Sequence, residues 1–96
     1  MRQFDYSMIP EHCREGVQAY VEQGRPVGSF LTAVFENDLV HAYGNADDIN
    51  RHQLRNYCLF LYNEAPKCPV PCWGSRDIVK NWIEIGGLAG LEAAGK

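Results

Sequence analysis

A proline-rich stretch constrains the fold of this chain more than any other feature. Residues 61–83 read LYNEAPKCPVPCWGSRDIVKNWI, with prolines at Pro66, Pro69 and Pro71. Proline lacks a backbone N–H and its ring clashes with the preceding helical turn, so neither a helix nor a central strand can continue through this stretch. The apolar residues on either side of it recur at helical spacing. The sequence therefore predicts helices on both sides of an irregular connection.

Start and stop signals divide the whole chain into four predicted helices. They begin at Pro10, at the N-cap Ser29, at Asn45 or Asp47 and after the N-cap Ser75, and they end at Gly24, Gly44, Asn63 and Gly86. We expect an all-α domain over residues 1–88, in which these helices form an irregular four-helix bundle with the Pro/Cys-containing loop between helices 3 and 4. The small-residue sequence at 89–96 predicts a flexible tail.

The apolar residues at helical spacing define the side of each helix that we expect to face the core. The predicted core residues are Ile9, Cys13, Val17, Tyr20, Val21, Leu31, Val34, Phe35, Leu39, Tyr43, Ile49, Leu54, Tyr57, Cys58, Leu61, Tyr62, Ile78, Val79, Trp82 and Ile83. Within the connection, Gly74 allows a sharp turn, and Trp73 is expected to pack beside Trp82.

Composition narrows the class of protein. The chain has 96 residues, is 46% hydrophobic and carries a net charge of −3, which is typical of one small globular domain. Its basic residues are scattered, which argues against direct nucleic-acid binding. The N-terminal sequence MRQFDYSMIPEHC lacks the apolar core of a secretory signal, and no apolar run could span a membrane. We therefore expect a cytoplasmic protein whose four cysteines are thiols.

Cys68 and Cys72 raise the question of a metal site. Two thiolates at this spacing could supply half of a zinc site, completed by other residues. The candidates for the remaining ligands are His12, Cys13, His41, His52 and Cys58. The usual zinc spacing is C-x2-C, the candidate partners are dispersed, and a buried cysteine also serves as a small apolar side chain. We therefore favour a structural role, and we expect no metal and no cofactor.

Acidic residues suggest a surface for a partner protein. Glu36 and Asp38 lie on the polar side of the second predicted helix, and Asp47 and Asp48 lie at the start of the third. Such a strip is often a solvated helix surface, but it could also meet a basic patch on another protein through charge complementarity. Trp73 could add an interface anchor, although packing in the core also explains it.

The third predicted helix offers a second kind of site. Arg51 and Arg55 are four residues apart, and with His52 and Tyr57 they could bind a phosphate or carboxylate. Alternatively, the arginines could pair with Asp47 and Asp48 on the same helix. No phosphate-binding loop, zinc-protease motif or nucleophile elbow occurs in the chain. The histidines have no nucleophile at a recognisable spacing, so we expect a protein that is not an enzyme.

Several segments together resemble a family of short proteins encoded by bacteriophages and prophages. The similar segments are FLTAVFENDLVHAYGNADDIN, LYNEAP and CWGSRDIVKNWI, and the resemblance extends from about Met8 to Leu88. Cys68 and the following Pro-Val-Pro depart from the shorter loop of that family, whereas Cys72–Ser75 matches it. The family carries no assigned catalytic residues, so the resemblance implies a genomic setting without implying a reaction.

These observations lead to three functional hypotheses. The first is a host-interaction protein in the bacterial cytoplasm that inhibits a defence or nucleic-acid-processing factor, as an anti-CRISPR protein does. Its contact residues would be Glu36, Asp38, Asp47, Asp48 and Trp73. The second is an oligomer that sequesters a nucleotide or another small defence signal through Arg51, His52, Arg55 and Tyr57. The third is an interaction module stabilised by zinc at Cys68 and Cys72.

Overall fold

The structure, a computed structural model, describes residues 4–94, which form seven α-helices and one 3-10 helix and contain no strand. The helices are α1 Glu11–Gln23, α2 Ser29–Phe35, α3 Leu39–Asn45, α4 Asp48–His52, α5 Leu54–Asn63, α6 Arg76–Ile85 and α7 Gly87–Ala94, with the 3-10 helix at Ala65–Lys67. The predicted all-α class is confirmed for this part of the chain. The predicted count of four helices is wrong.

The second predicted helix is divided into α2 and α3, because the backbone at Asn37 leaves the right-handed helical conformation. Asn37 has a φ of 62°, in the left-handed region that asparagine tolerates better than most residues. Asp38 then caps α3, and its side chain accepts a hydrogen bond from the backbone N–H of His41 at 3.2 Å. Gly44 lies inside α3 and does not end it, and Gly28 rather than Ser29 is the N-cap of α2.

The third predicted helix is also divided, at Gln53. Asp47 caps α4 by accepting a hydrogen bond from the backbone N–H of Asn50 at 2.7 Å. Of the two predicted helix starts, Asn45 and Asp47, the second is therefore the one observed. The backbone N–H of Gln53 still reaches the carbonyl oxygens of Ile49 and Asn50, both at 3.1 Å. The chain therefore makes one tight turn between α4 and α5 and leaves no open loop.

The predicted tail is largely helical. Residues 89–94 belong to α7, and residues 95 and 96 lie outside the described range. The close approach of α7 to α1 is made by Gly87, which lies just before this tail. A Cβ atom on Gly24, at the end of α1, would lie only 2.5 Å from the backbone nitrogen of Gly87. This backbone-to-backbone packing explains why glycines occur at both positions.

The centre of the core joins three distant parts of the chain. The Tyr20 ring stacks on Phe35 with ring centroids 4.1 Å apart, and its hydroxyl donates a hydrogen bond to the carbonyl oxygen of Cys72 at 2.7 Å. Trp82 Nε1 donates to the carbonyl oxygen of Tyr20 at 2.9 Å. The backbone N–H of Gly74 donates to the carbonyl oxygen of Phe35 at 2.8 Å. The proline-rich connection is therefore held against α1, α2 and α6.

The segment Cys72–Ser75 starts α6, as the sequence predicts. Ser75 is the N-cap, and its hydroxyl oxygen accepts a hydrogen bond from the backbone N–H of Ile78 at 3.1 Å. Cys72 is buried, and Trp73 is half-buried against the core. The segment therefore has a structural role at the point where the connection becomes a helix.

Candidate functional site

Several apolar side chains that the sequence predicts for the core lie on the surface. Leu39 and Tyr43 of α3 are 68% and 54% exposed, and Ile49 of α4 is 57% exposed. On α5, Tyr62 is 80% exposed and Cys58 is also exposed. The prediction that these five residues are buried is therefore wrong.

The divided helices explain this error. In α3 the residue that faces the core is Ala42, and Ala46 is buried just after the helix. The larger apolar side chains of α3 are exposed to solvent. In α5 the buried side is formed by Tyr57, Phe60 and Leu61. A single apolar stripe through residues 29–63 would require two unbroken helices, and each break gives the following helix its own axis and its own buried side.

A narrow apolar groove lies between α3 and α5. It encloses a cavity of about 60 Å³. Its walls include Leu39 and Ala42 of α3 and Leu54, Cys58 and Leu61 of α5, and Asp38 also lines it. Ala33 and Val34 of α2, Asn37 and Tyr57 complete the lining, and we call these ten residues the apolar groove. Val40 and Tyr62, which are 78% and 80% exposed, extend the apolar surface outward on α3 and α5.

Charged side chains lie at both ends of α3. At the end of α3, the guanidinium of Arg51 lies 5.3 Å from the centre of the Tyr43 ring and 3.2 Å from a carboxylate oxygen of Asp48. At the start of α3, Asp38 Oδ2 lies 2.7 Å from His41 Nδ1. The backbone N–H and the ring of His41 hold the pKa of the Asp38 carboxyl below its ordinary value, so this end is anionic.

The four predicted acidic residues lie in two places. Glu36 and Asp38 line a polar surface cavity together with Arg76, beside α2 and α3. Asp47 and Asp48 lie at the start of α4, where Asp47 Oδ2 is 2.9 Å from His12 Nε2 and Asp48 pairs with an arginine. Three of the four carboxylates therefore already have a partner of this chain, and only Asp38 also reaches the apolar groove.

Trp73 lies apart from these acidic residues. It is half-buried and lines a separate shallow cavity formed by the loop that includes Cys68, Pro69 and Pro71. The structure therefore does not combine Trp73 and the acidic side chains into one cavity.

The four residues of the predicted ligand site do not converge. The Tyr57 hydroxyl is buried and donates a hydrogen bond to Asn50 Oδ1 at 2.6 Å, and burial raises the pKa of this phenol. Arg51, His52 and Arg55 are exposed on α4 and α5. Tyr57 contributes to the groove through its ring, while its polar group is used in the interior. No shared ligand cavity results.

Cys68 and Cys72 are both buried and their thiols are hydrogen-bonded to each other. That hydrogen bond, together with burial, raises the pKa of the Cys72 thiol, which keeps it protonated. Among residues 4–94, no three histidine, cysteine or acidic side chains come together in a way that could hold a metal ion. The pair fits the structural role of small apolar side chains.

Comparisons of the chain with protein-family models, with proteins of curated function and with solved structures find no match. Within the described residues, no helix combines the length and the apolar character needed to cross a membrane. The apolar groove and the charged side chains at the ends of α3 are the features on which a functional interpretation can be built.

Proposed function

We propose that this protein acts by binding another protein and that the apolar groove between α3 and α5 is the centre of the contact. The supporting observation is the distribution of exposed apolar side chains. Every large hydrophobic residue that is strongly exposed among residues 4–94 lies on α3, α4 or α5: Leu39, Val40, Tyr43, Ile49 and Tyr62. Concentrated apolar surface of this kind marks interaction sites on small proteins.

The groove suits a helix or loop that inserts an apolar side chain. Leu39, Leu54 and Leu61 offer apolar walls, and Tyr43 and Tyr62 are the amphipathic aromatic residues often found at interfaces. Asp38, which lines the groove, would orient a partner that carries a complementary positive charge. Glu36, Asp47, Asp48 and Trp73 lie outside the groove and would contribute only at the edge of a larger contact.

The resemblance to phage-encoded proteins indicates which class of partner to expect. It supports a bacterial host protein, and specifically a component of a defence or nucleic-acid-processing complex that the protein would inhibit by occupying a binding surface. The lack of catalytic motifs in the sequence supports inhibition by binding rather than by a reaction.

Affinity capture from a bacterial lysate tests this proposal when it compares three forms of the protein. The first is the wild type, and the second carries Val40→Asp and Tyr62→Asp, which change two exposed side chains and should leave the fold intact. The third carries Lys80→Gln and Asn81→Asp on the exposed side of α6, which change the net charge by the same −2 and serve as a charge-matched control. We expect one host protein to bind the wild type and the control and to be lost with the groove variant.

The captured protein would then be purified, and its affinity and activity measured with each form. We expect the groove variant to bind at least about tenfold more weakly and to lose inhibition. A form with Glu36→Lys and Asp38→Lys measures how much these two acidic residues contribute to the affinity for the captured protein. The proposal fails when no host protein is captured, or when the groove variant binds and inhibits as well as the wild type.

A further inference from the structure

The proline-rich connection places two thiols in contact. Cys68 and Cys72 are both buried, and both line the shallow cavity that Pro69, Pro71 and Trp73 also line. Their thiols are hydrogen-bonded to each other. Two sulfur atoms in such a contact need only a short further approach to reach the length of a disulfide bond, about 2.05 Å.

The fold brings these thiols together against the preference of the local sequence. Cys68 and Val70 each precede a proline, which favours an extended backbone at both residues. In an extended polyproline conformation, residues 68 and 72 would lie about 12 Å apart. The structure instead bends the backbone within residues 68–70, and the two thiols meet. The contact is therefore a property of the folded state.

Hydrogen bonds to the rest of the fold hold both ends of this bend. The backbone N–H of Cys68 donates to the carbonyl oxygen of Ala65 at 3.0 Å. The carbonyl oxygen of Cys72 accepts the Tyr20 hydroxyl at 2.7 Å. Burial is the main cause that raises the pKa of the Tyr20 phenol, and Cys72 and Cys68 both contribute, so both sulfur atoms lie near this ring. The pair is therefore held at the junction of the connection with α1.

We propose that Cys68 and Cys72 are a redox modification site, which forms an intramolecular disulfide when a low-molecular-weight disulfide such as oxidised glutathione accumulates. Where glutathione is kept reduced, the pair stays as two thiols and packs as small apolar side chains. The disulfide would close the bend covalently and so fix the shape of the connection. The site goes beyond the proposed function and is independent of it, because neither cysteine lines the apolar groove.

The modification is a thiol–disulfide exchange in two steps. Cys68, 9% exposed against 1% for Cys72, is the more accessible thiol. It loses its proton to water and its sulfur attacks oxidised glutathione, whose disulfide bond breaks. One glutathione leaves and takes up a proton, and the other stays on Cys68 as a mixed disulfide. The sulfur of Cys72 then attacks Cys68, and its proton passes to the second departing glutathione. Two electrons pass from the protein to the reagent, which leaves as two reduced molecules.

The protonation of Cys72 favours this order of steps. The hydrogen bond with the Cys68 thiol, and then burial, raise the pKa of the Cys72 thiol and make it a poor first nucleophile. Once Cys68 carries glutathione, its thiol no longer contributes to that rise. The sulfur of Cys72 is then adjacent to the mixed disulfide that it must attack.

Peptide mapping after equilibration with glutathione tests the modification. The full chain carries Cys58→Ser, which removes the exposed thiol, and is held at a series of ratios of reduced to oxidised glutathione. Remaining thiols are then alkylated. Trypsin cleaves after Lys67 and Arg76, so both cysteines lie in one peptide. We expect this peptide to appear unalkylated and lighter by two hydrogen atoms, after an exchange that takes up to hours.

Two controls accompany this experiment. An excess of reduced glutathione should restore both thiols, and Cys68→Ser should leave Cys72 reduced, because the first nucleophile is missing. Mixed disulfides without the internal bond, or two unchanged thiols at the most oxidising ratio, would overturn the proposal. Circular dichroism of each variant confirms that the fold is retained.

The same titration in urea separates a site built by the fold from the mere closeness of two cysteines in sequence. The unfolded segment prefers extended conformations, so we expect the equilibrium constant for disulfide formation to be at least about tenfold larger in the folded protein. By the same thermodynamic cycle the oxidised protein is the more stable form, and its melting temperature should rise by about 5 °C or more. An equal or smaller constant in the folded protein, or a lower melting temperature after oxidation, would overturn the proposal.

Discussion

Trp82 Nε1 donates a hydrogen bond to the carbonyl oxygen of Tyr20 at 2.9 Å, across 62 positions of the sequence. Both side chains are fully buried. The hydroxyl of Tyr20 also donates a hydrogen bond to the carbonyl oxygen of Cys72. The relationship matters because α1, the proline-rich connection and α6 meet at these two residues, and a change at either one loosens all three segments.

Trp82→Phe should therefore destabilise the protein strongly. The smaller ring leaves unfilled space in the core and removes the hydrogen bond to Tyr20, and we expect a loss of about 2–4 kcal/mol in the free energy of unfolding. Urea unfolding followed by circular dichroism measures it. Trp73→Phe is the matched control, because Trp73 is only half-buried and should cost clearly less. Equal losses in the two variants would contradict the central position of Trp82.

Glycine-to-alanine substitutions should have opposite effects at two positions. Gly24 has a φ of 65° and faces the backbone of Gly87, so alanine there is strained and collides, and we expect a loss of about 2–3 kcal/mol. Gly44 lies in α3 with open space around it, and alanine there should increase stability by about 0.5–1 kcal/mol. Thermal unfolding of both variants tests this. A stable Gly24→Ala variant would contradict the close packing of α7 on α1.

The helical spacing of apolar residues was sufficient to predict the all-α class. The helix ends at Ser75, Asp47 and Gly24 were also predicted, because these capping residues act locally. The break between α2 and α3 was missed although Asn37 and Asp38 carry a local signal for it. Asparagine tolerates the left-handed region and aspartate caps helices. The i, i+4 spacing of Phe35 and Leu39 suggested continuity and concealed that signal.

The groove could not be predicted from the same pattern. Whether an apolar helix side is buried depends on which distant segment covers it, and periodicity describes only the helix itself. For α7 the reason is similar: its packing on α1 depends on the pairing of Gly24 with Gly87, which no local signal reveals.

The stability of the protein should fall in acid, in part through Asp47. The backbone N–H of Asn50, and secondarily His12, hold the pKa of the Asp47 carboxyl below its ordinary value, although partial desolvation opposes them. Because the pKa is lower in the folded state, the stabilisation is complete above the unfolded value of about 3.9 and is lost as the pH falls through the folded value.

Asp47→Asn tests this pH dependence. Asparagine keeps a cap for α4 but cannot titrate, so the variant should lose less stability than the wild type between about pH 5 and pH 2. Asp47→Ala, which removes the cap itself, should be less stable than the asparagine variant at pH 7. Urea unfolding at a series of pH values gives both comparisons. An asparagine variant with the same acid dependence as the wild type would exclude a contribution from Asp47.

Thiol reactivity should separate the exposed Cys58 from the buried Cys68 and Cys72. Cys58 is exposed on α5, whereas Cys68 and Cys72 are buried, and their mutual hydrogen bond and burial raise the pKa of the Cys72 thiol. Since the thiolate is the reactive form, Cys72 should react with a disulfide reagent only when the protein opens. In dilute protein we expect Cys58 to be labelled at least about a hundredfold faster.

Mass spectrometry of the labelled peptides measures the rate at each site, with the urea-unfolded chain as the reference. In urea the rates should converge, because the difference comes from burial in the fold. Cys58→Ser should remove the fast phase in the folded protein and leave the slow phase unchanged. Rapid labelling of Cys68 or Cys72 in the folded state would mean that the proline-rich connection opens readily, contrary to its attachment to Tyr20 and Phe35.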